Sequence, residues 1–449
     1  MDAILIKNVR LVDPAAGIDG RRDLLVLRGQ VAAVAESISP EDAVGRLRGE
    51  RLAGPLSVID GQGLWLWPGL VDPHVHFREP GFTEKETIAT GSLAAAAGGY
   101  TSVICEPNTE PAIDSVSIVR ELAERARADA VVNVYFKAAM TLSRRGITPT
   151  DIAALAQEER VVALSDDGDP LVDPVVMRQV CAGAARAGIL LTPHCEDSPA
   201  SLRKMDAGLD PGFEPGPPYA NEPNFIARDA DLAAEAGCSI HFSHVSMGRS
   251  VDVIERFKQS ATGGGTVTYE VTPHHLLLCA EEFAPGAVPA VNPPLRSAAD
   301  REALRRALLA GKADAVASDH APHTTADKAA GASGLIGLET TLGLVLTHLL
   351  GGAGLAAPDA VRLMSLSPAR IFGLPGGTLK PGPPADMVFI DPAREWTVRA
   401  DLFRSKSRNT PFEGWELKGK AIATYVGGRE VYVEPGFEER KTERGAHRQ

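Results

Sequence analysis

Short apolar segments separated by glycine, proline and aspartate occupy both ends of the chain. Before residue 68 these segments are Ile4–Val9, Asp23–Arg28, Gln30–Ala35 and Val58–Trp67. The same character returns near the other end in Ala385–Asp391, Ala421–Tyr425 and Glu430–Val433. Apolar runs of this length between turn-forming residues are typical of β-strands. The pattern predicts one β-rich module built from residues 1–67 and 374–435, followed by a charged, disordered tail over 436–449.

Between these ends, residues 68–373 alternate apolar runs with amphipathic segments. A first strand carries His74 and His76, and seven more are predicted at Thr101–Cys105, Val131–Ala138, Val161–Leu164, Ile189–Thr192, Ser239–Ser243, Thr266–Val271 and Asp314–Ala317. The predicted helices include Glu84–Ala97, Ser117–Ala128, Val175–Ala187 and Ala299–Leu309. Thr83 and Glu86 predict a capping box for the first helix. Eight successive strand–helix units favour an α/β fold with a parallel (β/α)8 barrel over a doubly wound sheet.

Composition and charge narrow the class of protein. Of 449 residues, 44% are hydrophobic and only 5% aromatic, so the core must be aliphatic. The formal net charge of −12 argues against nucleic acid or an anionic membrane surface as a partner. Five cysteines without a C-x-x-C pair indicate a reducing compartment. The chain has neither a run of the ~20 apolar residues that cross a bilayer nor a signal-peptide layout at Met1–Lys7, so we expect a cytoplasmic protein.

Two histidines, His74 and His76, end the first strand of the middle region. Because they are two residues apart on an extended chain, both imidazoles project to one face, where they suit a divalent metal of the zinc type. The alternative is a pair of hydrogen-bonded core histidines. Asp72, Arg78 and Glu79 crowd the same strand end, and polar groups are costly to gather there without a use. This neighbourhood favours the metal-binding interpretation.

The ends of the other predicted strands carry polar side chains of the same kind. In a parallel barrel the carboxyl ends of all strands meet on one face. The residues that this places near the histidine pair are Asn108, Asp166, Asp167, His194, His244, Asn292, Asp319 and His323. Four histidines and two aspartates of the combined set supply enough ligands for two adjacent metals with open positions for water.

The motifs at these strand ends are, in order, D-P-H-V-H-F-R-E-P-G, P-N-T, D-D-G, H-C-E-D, H-V-S, E-V-T-P-H-H-L-L-L, N-P-P-L-R and S-D-H-A-P-H. Over nearly the whole chain they resemble the type I dihydroorotases of the amidohydrolase superfamily. The resemblance implies a distorted (β/α)8 TIM-like barrel with a small β-sandwich domain built from both termini. It also implies metal-dependent, reversible hydrolysis of the cyclic amide of (S)-dihydroorotate to N-carbamoyl-L-aspartate in de novo pyrimidine biosynthesis.

The resemblance also assigns the metal ligands residue by residue. One or two zinc ions per subunit are implied, with two favoured, and six residues match the ligand pattern: His74, His76 and Asp319 for one ion, His194 and His244 for the other, and Asp167 as the bridge. Lys137 is an alternative bridge in carbamylated form, and we expect it to be structural instead. The pattern makes Asp319 the group that receives a proton from the attacking water and returns it to the departing ring nitrogen.

Substrate recognition follows from the carboxylate that dihydroorotate carries. A planar guanidinium matches carboxylate geometry better than an ammonium group, so Arg78 is the expected clamp. Asn108 and His323 resemble further carboxylate contacts of the family, and Asn292 resembles the contact to the polar edge of the ring. Two alternatives stay open, an ion pair of Arg78 with Glu79 and a loop-stabilising role for Asn292.

Two other functions compete with this interpretation. One is a hydantoinase- or allantoinase-type cyclic amidohydrolase, whose substrates lack the carboxylate. The other is a non-catalytic dihydroorotase-like scaffold for aspartate transcarbamoylase, although such chains lose ligands that this one retains. Glu106 and Met247 depart from the family pattern, which puts the tuning of the substrate pocket in question. A homodimer, a contact with aspartate transcarbamoylase and the role of the Thr324–Gly337 loop as lid or passive connection stay open.

Overall fold

A computed structural model describes residues 3–46, 56–196, 222–260, 264–284 and 286–444. Its strands are β1 Ala3–Asp13, β2 Ile18–Leu27, β3 Gln30–Ala35, β4 Leu56–Asp60, β5 Trp65–Pro68, β6 Leu70–Val75, β7 Tyr100–Cys105, β8 Asn133–Ala139, β9 Val161–Ser165, β10 Leu190–Leu191, β11 Ile240–Phe242, β12 Val267–Val271, β13 Ala315–Val316, β14 Met387–Thr397, β15 Glu416–Val426, β16 Arg429–Val433 and β17 Lys441–Arg444. Its α-helices are α1 Pro40–Arg46, α2 Ile88–Ala97, α3 Val116–Asp129, α4 Ile152–Leu155, α5 Pro174–Ala187, α6 Glu222–Ala236, α7 Gly248–Ser260, α8 Pro273–Leu277, α9 Ala298–Leu309, α10 Thr325–Ala329, α11 Thr341–Leu344, α12 Ala357–Val361 and α13 Ser367–Ile371. Within these ranges, a helix with the length and apolar content of a bilayer-spanning segment does not occur.

Strands from both ends of the chain form one mixed sheet. Its order is β16-β15-β14-β5-β1-β2-β3, and β4 lies between β1 and β17. β1 pairs antiparallel with β2 and parallel with β4 and β5, and β14 joins the sheet antiparallel to β5. This arrangement confirms the predicted module built from both termini. The domain boundaries predicted at residues 67 and 374 stay predictions.

The end of the chain differs from the predicted disordered tail over 436–449. Strand β17 runs antiparallel to β4, with Lys441 opposite Ile59 and Arg444 opposite Leu56. A strand at the edge of a sheet leaves its backbone N–H and C=O groups unpaired, and β17 satisfies those of β4. The Lys441 side chain forms ion pairs with Glu430 and Glu438, so part of the charge in this segment is compensated. Residues 445–449 lie outside the described part of the chain.

The middle region forms eight parallel strands in the order β6 to β13. A parallel bridge between Val75 and His320 joins the first strand to the segment after the last, so the barrel is nearly closed. Strands β6 and β7 are buried along their whole length, as expected of parallel strands that are covered on both faces. The predicted (β/α)8 barrel is confirmed, and each strand lies within a few residues of its predicted position.

Helix α2 begins one turn later than the sequence predicts. Its N-cap is Thr87, whose hydroxyl accepts a hydrogen bond from Thr90 N, while Thr90 Oγ1 accepts one from Thr87 N, both at 3.1 Å. The predicted capping box of Thr83 and Glu86 is therefore wrong. Glu86 is fully buried, and its carboxylate accepts a hydrogen bond from Ser405 of a distant segment. The Glu86 carboxylate therefore makes a long-range contact with Ser405 instead of capping the helix as its position in the sequence predicts.

The segment 404–409, between β14 and β15, reaches from the terminal sheet to the mouth of the barrel. Ser407 Oγ donates to the carbonyl oxygen of His323 at 2.8 Å. Asn409 Nδ2 donates to the carbonyl oxygen of Gly334 at 2.9 Å. The loop Thr324–Gly337 is therefore tied to this segment both just before it begins and near its end.

Candidate metal centre

The six side chains that the sequence predicts as metal ligands meet at the carboxyl ends of the barrel strands. Each residue is at most 6% exposed, and the set is His74 and His76 at β6, Asp167 after β9, His194 after β10, His244 after β11 and Asp319 after β13. Parallel strands of a barrel bring these positions to one face. The shared strand ends explain why residues far apart in the sequence converge.

His74, His76 and Asp319 form one group that could hold a metal ion. Asp319 Oδ1 lies 3.3 Å from His76 Nε2 and 3.7 Å from His74 Nε2. Ring nitrogens and carboxylate oxygens are donor types that zinc accepts. This group coincides with the first of the two ligand sets predicted from the sequence.

Asp167 lies at the centre of the cluster and faces all four imidazoles. Its Oδ1 is 3.5 Å from His74 Nε2, 3.4 Å from His244 Nε2 and 3.2 Å from His194 Nδ1. Its Oδ2 is 3.7 Å from His76 Nε2. The second group that could hold an ion consists of His74, Asp167 and His244, and His194 Nδ1 lies 3.0 Å from His244 Nε2 beside it. Asp167 thus lies within 3.7 Å of a ring nitrogen of each of the four histidines, and its bridging role stays a prediction.

The electrostatics of the cluster fit a bound cation. Burial lowers the pKa of His74, but the carboxylates of Glu106 and Asp167 outweigh burial and hold that pKa well above its usual value. Burial raises the pKa of Asp167, yet His74 and hydrogen bonds from neighbouring histidines hold it well below its usual value. His74 Nε2 is a buried atom without a hydrogen-bond partner among the described residues, and it faces Asp167 and Asp319. A divalent cation would satisfy both this nitrogen and the excess of negative charge.

Glu270 in β12 supports the cluster, and the sequence analysis missed it. Its Oε1 lies 2.8 Å from His74 Nδ1 and accepts a hydrogen bond from His244 N at 3.2 Å. Its Oε2 lies 3.1 Å from His241 Nε2. Carboxylates in such outer positions fix the tautomer and orientation of a ligating histidine. The available indication was a lone carboxylate inside the run Val267–Val271, since an unpartnered charge is costly to bury.

Glu106 and Lys137 form an ion pair whose side chains have no exposed surface. Lys137 Nζ donates to Glu106 Oε1, and the same oxygen lies 3.6 Å from His74 Nδ1. Lys137 supplies the charge that compensates the buried Glu106 carboxylate. This pairing gives Lys137 a structural partner in place of the bridging role that the sequence left as an alternative.

Replacing Lys137 by methionine is expected to lower the free energy of unfolding by about 3–5 kcal/mol, because Glu106 then stays buried without its cation. The double variant Glu106→Met/Lys137→Met is the matched control, since it removes both charges and keeps an apolar filling. Chemical denaturation of the two variants and the wild type measures the effect. A double variant that is no more stable than the single one would show that charge compensation is not the cause.

Arg78 lies directly beyond the histidine pair and is buried. Its Nε donates to the carbonyl oxygen of Pro322 at 3.2 Å, and its Nη2 lies 3.3 Å from His323 Nε2. Burial lowers the pKa of Arg78 to about 10, so the guanidinium keeps its charge at neutral pH. Glu79 does not occupy it, because that carboxylate accepts a hydrogen bond from Ile88 N at 2.6 Å at the start of α2. The Glu79 carboxylate therefore has partners other than Arg78, and the clamp stays a prediction.

Asn108 and Asn292 both lie against the predicted ligands. Asn108 Oδ1 is 2.8 Å from His76 Nδ1, and its Nδ2 donates to Asp167 Oδ2 at 3.1 Å. Asn292 Nδ2 is 3.3 Å from His194 Nε2. Asn108 therefore orients two members of the cluster and keeps one amide hydrogen for another partner.

Three residues of the site adopt left-handed backbone conformations without being glycine. Their φ angles are 60° at Arg78, 35° at His244 and 48° at Asp319. Such conformations are uncommon for these residue types and persist where surrounding contacts impose them, often at functional sites. The fold therefore holds these side chains in place at the expense of local backbone energy.

Both the sequence and the fold are similar to those of known proteins. Residues 65–431 match the Amidohydrolase family. The chain therefore belongs to the amidohydrolase family. Among its curated relatives, the dihydroorotase of Syntrophus aciditrophicus (strain SB) is 39% identical over 442 residues, which cover 96% of this chain and 99% of that protein. The dihydroorotase of Citrifermentans bemidjiense is 40% identical over 441 residues, with coverage of 96% and 99%.

Solved structures with a similar fold include the L-hydantoinase (dihydropyrimidinase) from Arthrobacter aurescens. Its TM-score is 0.82 at 26% sequence identity, and the match covers 96% of each chain. The dihydropyrimidinase from Brevibacillus agri NCHU1002 has a TM-score of 0.80 at 24% identity, over 96% of this chain and 95% of that one, and shows the fold alone. These likenesses confirm the predicted TIM-like barrel with its β-sandwich domain.

Proposed function

We propose that this chain is a type I dihydroorotase, which hydrolyses the cyclic amide of (S)-dihydroorotate to N-carbamoyl-L-aspartate and also catalyses the reverse reaction. Curated relatives named dihydroorotase match 96% of this chain, which supports the proposal without distinguishing the type. The observation that carries the proposal is the buried guanidinium of Arg78, next to the clustered His74 and His76 at one strand end. A guanidinium at this place can pair with the carboxylate of a charged cyclic amide. Uncharged cyclic amides carry no group that would pair with it.

Two zinc ions are proposed as the cofactor. When bound, they would polarise the ring carbonyl as Lewis acids and lower the pKa of a bound water to about 7. The donor set and the buried, unpartnered His74 Nε2 support this assignment. The residues proposed to hold the ions are His74, His76 and Asp319 for one, His194 and His244 for the other, and Asp167 for both.

Asp319 is proposed to carry the proton of the reaction. Its carboxylate follows β13 and lies 3.3 Å from His76 Nε2 and 3.7 Å from His74 Nε2, and this closeness to the proposed zinc ligands supports the proposal. It takes a proton from the attacking water and gives it to the departing ring nitrogen. In the ring-closing direction the same oxygen takes the proton from the carbamoyl nitrogen.

Four residues are proposed to hold the substrate. Arg78 binds the carboxylate through two parallel N–H donors. Burial and the charge of Arg78 lower the pKa of His323 to about 4, so His323 is neutral and contacts the carboxylate through a hydrogen bond rather than a second charge. Asn108 uses its remaining amide hydrogen on the same group, and Asn292, next to His194, contacts the polar edge of the ring.

Purified protein is expected to turn over dihydroorotate and N-carbamoyl-L-aspartate in preference to hydantoin and allantoin. In the variant Arg78→Lys, KM for dihydroorotate should rise about 10-fold or more, because one charge-assisted hydrogen bond is lost. Side-by-side assays with the four substrates measure both effects. Arg178→Lys, at an exposed arginine that pairs with Glu235, is the matched control and should leave KM unchanged.

Preferential turnover of hydantoin or allantoin would instead assign the chain to the alternative class, the hydantoinase- or allantoinase-type amidohydrolases. The similarity of the fold to a solved hydantoinase structure is consistent with that alternative. An absence of turnover with any of the four substrates would favour the non-catalytic scaffold. The cytoplasmic location, the homodimer and the contact with aspartate transcarbamoylase stay predictions from the sequence.

A further inference from the structure

The loop 140–146, which follows β8, holds the turn that carries Asp167. Arg144 Nη2 donates to the carbonyl oxygen of Asp167 and, at 3.2 Å, to Asp169 Oδ2. The turn 166–169 follows β9. A single guanidinium thus connects the loops after two neighbouring barrel strands at the edge of the metal centre.

Asp166 makes a reciprocal attachment from the turn to the loop. Its Oδ1 accepts hydrogen bonds from Met140 N at 2.7 Å and Thr141 N at 3.2 Å, and its Oδ2 accepts one from Thr141 Oγ1. The backbone of Asp167 is therefore anchored on both sides of its side chain. The preceding residue, Asp166, is held by the loop, and the carbonyl group of Asp167 is held by Arg144. Only its carboxylate is left to face the imidazoles.

The backbone conformation of loop 140–146 directs the Arg144 side chain toward the turn 166–169. Ser143 and Arg144 have φ angles of 52° and 55°, consecutive left-handed values that non-glycine residues rarely adopt. Ser143 N donates to Asp114 Oδ2 at 2.9 Å, which holds the loop from outside. The loop therefore has a defined conformation that delivers the guanidinium to Asp167.

Charge alone does not explain this arrangement. The Arg144 guanidinium has a carboxylate partner, Asp169, at 3.2 Å. Because the two opposite charges largely cancel, the pair changes the electrostatic potential at the metal ligands little. Loss of the arginine should therefore act through the position of Asp167. A purely electrostatic role would have the opposite sign, because removal of a cation strengthens the binding of another cation nearby.

We propose that Arg144 is a positioning residue that sets the bridging carboxylate of Asp167 and thereby determines the affinity for the second zinc ion. The inference rests on the two-metal site of the proposed function. An ion held by His194 and His244 would have two protein ligands besides Asp167, whereas the other ion would have three. Displacement of Asp167 should therefore weaken the ion with fewer ligands more strongly.

The test compares Arg144→Met with Arg145→Met in the full-length chain. Arg145 is the adjacent, exposed residue of the same loop, so both variants remove the same charge. Stepwise zinc affinity is measured by titrating metal-free protein in competition with a chromophoric chelator, and zinc content is measured after gel filtration. We expect Arg144→Met to bind the second ion about 10- to 100-fold more weakly, with a zinc content that falls from two toward one per chain.

Two further measurements separate positioning from loss of fold. Circular dichroism should show that the metal-free forms of Arg144→Met and Arg145→Met are both folded like the wild type. Arg144→Lys, which keeps a cation but reaches a single acceptor, should restore part of the affinity. Unchanged or tighter binding of the second ion in Arg144→Met, or equal weakening of both ions, overturns the inference.

The outcome for the wild-type protein distinguishes this inference from the proposed function. A wild-type chain that binds a single zinc ion overturns both the two-metal site and the role of Arg144. A wild-type chain with two ions, together with an unaffected Arg144→Met variant, overturns the role of Arg144 alone. The dihydroorotate assay tests the activity separately in either case.

Discussion

Replacement of Asp319 by asparagine is expected to reduce turnover about 10²- to 10⁴-fold in both reaction directions, because the amide can neither accept nor return the proton. The protein should stay folded. Asp319 has a φ of 48°, and asparagine is among the residues that tolerate left-handed backbone best. The change also removes one anionic oxygen from the group with His74 and His76, so zinc affinity should fall together with turnover.

Turnover of dihydroorotate and of N-carbamoyl-L-aspartate, together with circular dichroism, measures this effect. The matched control is Asp252→Asn, an exposed carboxylate on α7 that lies outside the cluster. Activity above a few per cent of the wild-type value in a zinc-loaded Asp319→Asn protein would contradict the proton-carrying role.

Removal of the metal is expected to abolish activity, and re-addition of zinc should restore it. The six clustered residues are at most 6% exposed, and the two carboxylates among them lie within 3.7 Å of histidine ring nitrogens. A ligand that binds only the folded state stabilises it by about 2.7 kcal/mol at a concentration of 100 times Kd. The metal-free protein should therefore also unfold at a lower temperature.

Metal analysis and the dihydroorotate assay before and after dialysis against a chelator measure the effect of metal removal. Dialysis against buffer without chelator is the control. Full activity in a protein shown to contain no metal would overturn the metal-dependent mechanism, and restoration by magnesium but not by zinc would correct the identity of the ion.

The barrel and the histidine cluster could be predicted because their causes are local. Each barrel strand is a short apolar run, and the rule that parallel strands present their carboxyl ends on one face brings His74, Asp167 and Asp319 together without coordinates. The spacing of His74 and His76 alone indicates a shared face. The predicted α2 capping box failed for the opposite reason, since Ser405 lies more than 300 residues from the Glu86 carboxylate that it binds.

The supporting residues could not be predicted, because their partners are set by tertiary structure. Glu270 contacts His74 across a separation of 196 residues, and nothing near Glu270 in the sequence points to that histidine. Glu106 looked like a departure that tunes the substrate pocket, whereas its observed partner is Lys137 on the next strand. Arg144 belongs to a turn-like stretch of polar residues. Because it is not a glycine, the sequence gives no indication of its left-handed φ.

The attachment of segment 404–409 to the barrel limits how the chain can be divided. Ser405 binds the buried Glu86 carboxylate, and Ser407 supports His323 through its carbonyl group. A shortened protein that stops before this segment would retain every proposed zinc ligand and yet lose the anchors of one wall of its substrate pocket. The catalytic module is therefore not the barrel by itself, and a fragment that ends with the last barrel helix is unsuitable as a minimal enzyme.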